Sequence, residues 1–362
     1  MDLASTYPID INSLFITTIE RNASDLHLIP GAPPYIRIDG KLERLDMPVI
    51  TPEGLKTLIY SILTDQQKET LERELELDFA YSLSGVSRFR GNILYQRGSL
   101  GAAFRVVPYN IPNIESLGLP KEVKNLCSLS QGLILVTGPT GSGKSTTLAA
   151  MIDYINSNRY LNILTLEDPI EFLHKHDKSI ICQREVGSDT HSFSIALRHA
   201  LRHDPDVILI GEMRDLDSIS IALTAAETGH LVLSTLHTQN APLSVSRIID
   251  VFNDDKRSYI RQQLSNSLQG IVSQQLIPRV DGKGRVVAVE FMLNTPAVRN
   301  LIREGKEHQL YSIIQTGNAL GMQTMDQALY KLYREGKISM ESALNYCIDK
   351  KEMGRMLPIF NC

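Results

Sequence analysis

Residues 138–146 read GPTGSGKST and follow the apolar run LILV at 133–136. Gly138, Gly143, Lys144 and Ser145 match the spacing G-x4-G-K-S of a phosphate-gripping loop between a strand and a helix. Each residue type has a task there. Gly138, Gly141 and Gly143 let backbone N–H groups turn inward without a Cβ in the way. Pro139, Thr140, Ser142 and Thr146 complete the loop. Lys144 supplies a compact positive charge for β- and γ-phosphates. The Ser145 hydroxyl suits Mg²⁺. A helix starting near Ser145 adds its positive dipole end. The motif therefore predicts an α/β domain that binds a nucleotide, with ATP and Mg²⁺ as ligands.

Composition bounds the rest. At 362 residues the chain is long enough for two domains. It is 43% hydrophobic and 22% charged, with net charge −4. That balance supports a normal core and lacks the basic footprint of a general nucleic-acid binder. The opening MDLASTYPID has no positive n-region, so it does not read as a secretory signal. The apolar runs fall far short of the roughly 18 residues a membrane span needs. Cys127, Cys182, Cys347 and Cys362 are scattered without a C-x-x-C pair, which fits reduced thiols in a cytoplasmic protein.

Residues 1–108 predict an α+β domain. It has a helix over 14–21, a strand over 25–29 and a hairpin over 35–45 turning at Asp39-Gly40. Helix follows over 52–75 with Asp65 as a cap, then β-type stretches over 88–95 and 102–107. The three prolines within 108–120 read as a linker, set at 109–125. From 126 to 362 short apolar runs alternate with helical stretches, at 133–137, 162–166, 207–210 and 231–236. That rhythm predicts a mainly parallel sheet covered by helices. Beyond about residue 240 the pattern reads as largely helical.

A polar cluster stands just past each of the four apolar runs: Lys144/Ser145, Glu167/Asp168/Glu171, Glu212, and Thr235/His237. In a parallel sheet all four lie along the carboxyl edge, where such sheets bind ligands. Glu212, in DPDVILIGEMRD, is placed to orient or deprotonate a water attacking a γ-phosphate. Glu167, Asp168 and Glu171, in LTLEDPIEF, could hold Mg²⁺ through water or polarise the nucleophile. Three direct ligands would be too many for a nucleotide-bound Mg²⁺. His230 and His237 bracket LVLSTL. His237 falls at the ligand edge, whereas His230 enters at the other end of a straight strand. His199 and His203 are spaced i, i+4 on a predicted helix. Without a glutamate after His199 the H-E-x-x-H pattern is absent, and a solvated face is the simpler reading. Arg90 and Arg105 lie on β-type stretches, either as ordinary surface arginines or as arginine fingers for a phosphoryl group.

In this order the motifs resemble the PilT family, type IV pilus retraction ATPases within the secretion-ATPase superfamily. The resemblance covers nearly the whole chain. ASDLHLIPGAPPYIRIDG at 23–40 resembles the N-terminal signature and GPTGSGKST the Walker A. LEDPIEF resembles the Asp box, GEMRD the Walker B and GHLVLSTLHT the His box. AVRNLIRE at 297–304 resembles the C-terminal motif associated with retraction, with Val298 where many relatives carry isoleucine. GMQTMDQAL at 321–329 also fits.

The resemblance implies a RecA-like P-loop ATPase domain with a smaller N-terminal PAS-like domain, assembled as a homohexamer. It implies Glu212 as the catalytic glutamate, although this strand lacks the usual Walker B aspartate. It gives Glu171 a role in the Asp box, and it matches Arg90 and Arg105 to arginines that reach the nucleotide. It further implies a cytoplasmic motor, peripheral to the inner membrane and engaging a pilus platform protein there, with no nucleic-acid partner. Closure of the first domain on the second would couple hydrolysis to rotation about 108–120. The tetracysteine zinc insert and longer N-terminus of assembly-type relatives are missing, so retraction is favoured over pilus assembly or type II secretion. An accessory retraction ATPase, an ATP-gated switch, a small-molecule kinase and a nucleic-acid motor are the alternatives.

Overall fold

The computed structural model describes residues 10–38, 40–83, 86–107 and 110–357. The chain divides into two compact units, 1–109 and 110–362. The Asp39 half of the expected hairpin turn, Pro108 of the expected linker and Cys362 lie outside the described residues.

The first unit runs α1 (Ile11–Glu20), β1 (Asp25–Leu28), β2 (Tyr35–Ile38), β3 (Lys41–Arg44), α2 (Pro52–Tyr60), α3 (Asp65–Glu74), β4 (Glu76–Leu83), β5 (Ser87–Gln96) and β6 (Ser99–Val107). The strands form one antiparallel sheet in the order β3-β2-β1-β6-β5-β4. Alternation decides its faces. Leu26, Ile36, Phe89, Ile93 and Phe104 turn inward against Leu14, Phe15, Leu55 and Ile59 of α1 and α2. The Phe15 and Phe89 rings stack at 4.1 Å.

Two sequence expectations need correction here. The stretch 52–75 is two helices, and the cap of the second is Thr64 rather than Asp65: Thr64 and Gln67 form a reciprocal capping box. Strand β4 was hidden from the pattern because α3 passes into it through Leu75, at φ 65°, with no glycine or proline to mark the break.

The second unit runs α4 (Glu122–Cys127), β7 (Gly132–Thr137), α5 (Lys144–Asn158), β8 (Asn162–Glu167), β9 (Ile180–Glu185), α6 (Phe193–Ala200), β10 (Val207–Ile210), α7 (Leu216–Glu227), β11 (Leu231–Leu236), α8 (Ala241–Asp250), α9 (Asp254–Ser267), β12 (Leu268–Pro278), β13 (Arg285–Leu293), α10 (Pro296–Arg303), α11 (Leu310–Thr316), α12 (Met325–Arg334), α13 (Met340–Tyr346) and α14 (Lys350–Met356). The sheet order is β13-β12-β7-β11-β10-β8-β9. All neighbours are parallel except β12 and β13.

β7, β10 and β11 are buried at every position, as strands covered on both faces must be. Leu133 and Leu135 pack towards α6–α11, while Ile134 and Val136 pack towards α4 and α5. The expectation of a helical chain after residue 240 fails at β12 and β13, which extend this sheet. The reason is chemical: β12 carries Ser273, Gln274 and Gln275 in mid-strand, and α9 passes into it with no intervening loop. Residues of the expected linker also belong to this unit, since Ile114, Leu119 and Val123 are buried in its core.

Candidate active site

The carboxyl ends of β7, β11, β10 and β8 lie side by side, so the polar clusters after them meet along one edge. The loop after β7 is shaped by close approach. A Cβ on Gly138 (φ 141°) would stand 2.3 Å from the Gln274 carbonyl oxygen and 2.6 Å from Ser142 Oγ. Gly143 occupies the left-handed region at φ 90° and caps α5. Ser142 is buried, and its Oγ has no hydrogen-bond partner among the described residues. That orphan hydroxyl and the cradle at Gly138 suit a phosphate group. Pro139, Thr140 and Gly141 of the loop and Ser145 in the first turn of α5 are exposed.

Lys144 is only 8% exposed. Its ammonium folds back on the loop, donating to the carbonyls of Gly138 at 2.9 Å and Pro139 at 3.0 Å. Burial holds its pKa below the usual lysine range, partly opposed by the charge of Glu212. Nζ also lies 3.4 Å from His237 Nδ1.

Glu212 stands on a turn pinned from both sides. Gly211 N–H donates to the Leu166 carbonyl of β8 at 2.7 Å, and Thr235 Oγ1 of β11 donates to the Gly211 carbonyl at 2.6 Å. The Glu212 carboxylate then has two partners. Oε1 lies 3.2 Å from His237 Nε2, and Oε2 accepts from Arg214 Nε at 2.8 Å. Arg214 extends the row to Asp168 at 3.8 Å. The Glu212 hydrogen bond is the main cause holding the Arg214 pKa above its ordinary value. Lys144, His237, Glu212, Arg214 and Asp168 thus form a line of alternating chemistry across four strand ends. It presents a cation for phosphate beside a carboxylate able to take a proton from water.

Glu167 is held away from that line. It accepts from Thr165 Oγ1 at 2.7 Å and from Gln183 Nε2 at 3.1 Å. Burial raises its pKa, and these donors, with the Glu171 backbone, partly offset the rise. Gln183 also donates to the Phe172 carbonyl at 2.9 Å, so Glu167 and Gln183 together fasten the turn that carries Asp168 and Glu171.

Other candidates are placed elsewhere. His230 stands at the amino end of β11, its Nδ1 3.0 Å from the Ala225 carbonyl of α7, a whole strand away from the site edge. Its inclusion with His237 is corrected by the direction of that strand. His203 lies beyond the end of α6, so it does not share a helical face with His199; among the described residues no metal-ligating cluster forms. Arg90 and Arg105 belong to the first unit, where they face each other on β5 and β6. Arg105 Nε donates to Asp25 at 2.8 Å.

Reading the motifs alone missed Arg214, Gln183 and Gln274. Gln274 Nε2 donates to the Ser142 carbonyl at 3.0 Å and so braces the loop from β12. The available signal was two glutamines inside an apolar run, polar residues that a buried strand keeps only where they have partners.

Sheet order, loop and carboxyl-edge cluster define a RecA-like P-loop domain in a chain that also contains a smaller α+β domain. The chain belongs to the type II/IV secretion system protein family, whose model matches residues 3–344. It is similar to the "Type IV pilus retractation ATPase PilT" of Pseudomonas aeruginosa, with 52% identity over 92% of this chain and 97% of that protein. It is also similar to the "Twitching motility protein" of Neisseria gonorrhoeae, with 47% identity over 94% and 91% of the two chains. Among solved structures it resembles the pilus retraction motor PilT with bound ADP, at a TM-score of 0.89 and 51% identity, covering 96% of this chain and 99% of that one.

Proposed function

We propose that this protein hydrolyses ATP and uses the energy to retract type IV pili. The observation that carries the reading is the line Lys144–His237–Glu212 at the mouth of the phosphate loop, in a chain that matches a retraction ATPase over almost its full length. Lys144 moves its donors from the loop carbonyls to the phosphates, and the Ser142 hydroxyl gains a partner. The Ser145 hydroxyl would hold Mg²⁺, and the ion would supply charge neutralisation at the phosphates. Glu212 orients the attacking water and takes its proton, while His237 fixes the carboxylate's direction. Asp168 and Glu171 would meet the water shell of that ion from their turn. Arg90 and Arg105, which share a face of the first unit's sheet, are the proposed arginine fingers. The assembly is a homohexamer in the cytoplasm, peripheral to the inner membrane and engaging a platform protein there. Among the described residues no helix is long and apolar enough to cross a membrane.

Two measurements test this. Lys144→Ala should abolish turnover, and Glu212→Gln should bind ATP yet leave it uncleaved; wild-type hydrolysis by Glu212→Gln ends the assignment. In the source cell, deletion should leave surplus immobile pili and stop twitching. Bald cells would mean assembly instead.

A further inference from the structure

Glu290 lies in the middle of β13 and is fully buried, yet it takes no part in the site's row of charges. Its surroundings give it a different use. Each helix leaves its first N–H groups without an internal partner. In α8 the cap Asn240 serves Leu243, and in α12 the cap Thr324 serves Gln327. The first N–H of each helix remains, and both turn to Glu290. Ala241 N–H donates to Oε1 at 2.7 Å, and Met325 N–H lies 3.4 Å from Oε2. One carboxylate therefore sits between two positive helix ends, which is the setting that offsets the cost of its burial.

Both ends of this clamp lead somewhere. Ala241 begins α8 four residues after His237, and the loop between them is tied to the helix. Thr238 Oγ1 meets Ser244 Oγ at 2.6 Å, and Ser244 Oγ donates to the Asn240 carbonyl at 2.7 Å. Across the sheet Glu290 pairs with Ser273, whose hydroxyl lies 2.7 Å from Thr137 at the root of the phosphate loop. In the other direction Met325 begins α12, where the buried Asp326 accepts the N–H groups of Ile348 at 2.7 Å and Asp349 at 2.9 Å ahead of α14. A run of buried and half-buried polar contacts thus joins the C-terminal helices to the His237 loop.

We propose that Glu290 is a positioning residue for hydrolysis: by capping α8 and α12 at once it sets the 237–240 loop, and through it the contact of His237 with Glu212. The inference rests on the hydrolytic reading of the site above. A merely structural carboxylate would lower stability without choosing one kinetic step. A positioning carboxylate acts through His237, so its effect vanishes once His237 is gone.

The test is a kinetic double-mutant cycle on the full chain. Glu290→Gln should lower kcat roughly tenfold with KM for ATP changed less than about twofold. His237→Ala should lower kcat by about 10², and the double variant should fall no further than His237→Ala alone. Glu290→Asp keeps the charge but is one methylene too short to reach both helices, so it should lose kcat in the same way and serves if Glu290→Gln does not fold. Wild-type kcat in both Glu290 variants overturns the proposal. So do losses that multiply with His237→Ala, or that track ADP affinity and melting temperature in parallel. Full turnover by Glu212→Gln would instead remove the hydrolytic reading, a result separate from the form of the cycle.

Discussion

Gln274 and Ser142 are joined by a hydrogen bond of 3.0 Å from a side-chain amide of β12 to a carbonyl of the phosphate loop. The bond holds the loop from outside the strand that carries it. Gln274→Leu keeps the size of the side chain and removes this donor. A buried carbonyl losing its partner costs about 1–1.5 kcal/mol, so ADP should bind roughly tenfold more weakly. Titration with a fluorescent ADP checks this, and unchanged affinity would show that the loop stands without its brace.

Two glycines of the same loop should behave differently. Gly138→Ala puts a methyl 2.3 Å from a backbone oxygen that no rotamer can move, so nucleotide binding should be lost. Gly141→Ala meets nothing within 4 Å, and its strain comes only from φ 77°. That costs about 1–2 kcal/mol, and binding should survive, weakened by about tenfold. Equal losses in the two variants would refute the steric account.

The motor-domain frame was legible where burial demands uniform chemistry. β7, β10 and β11 are apolar throughout and buried on both faces, and their carboxyl ends announced Lys144, Glu212 and His237. Legibility failed where a strand has a second duty. β12 keeps Ser273 and Gln274 to hold Thr137 and Ser142, and those residues erased its strand pattern. Glu290 inside VVAVEFML was an equally plain sign, an acid where only a partnered acid survives. Pairing is harder still to read. That Arg90 faces Arg105, and Arg105 faces Asp25, follows from strand register, which no spacing along the chain encodes.

Arg214 tests how Glu212 is held. Its side chain is 59% exposed, so the ion pair adds little to stability. Its geometry matters more, because Nε fixes one carboxylate oxygen while His237 fixes the other. Arg214→Ala should leave the melting temperature within about 1 °C, while kcat falls roughly fivefold through a less ordered base. Steady-state turnover and a thermal melt on the same sample decide it. A large loss of stability would make Arg214 a structural tie instead.

His174 offers a stability test against pH. Burial lowers its pKa from 6.5 to about 4, and its Nδ1 has no hydrogen-bond partner among the described residues. Between those values the unfolded chain binds a proton that the folded chain refuses. Acidification therefore favours unfolding: this contribution leaves stability untouched above pH 6.5 and erodes it down to about 4, by on the order of 3 kcal/mol. Glu290 has the opposite sign. Burial pushes its carboxyl from 4.5 up to about 7, so its stabilisation is present below 4.5 and lost as pH rises through 7. Over the shared range the two slopes oppose each other. His174→Phe removes only the first, with no ring hydrogen bond to lose among the described residues. The variant should match the parent in melting temperature at pH 7.5 and exceed it increasingly towards pH 5. A difference that stays constant across that range would mean that His174 is protonated in the folded protein, with its buried nitrogen served by water.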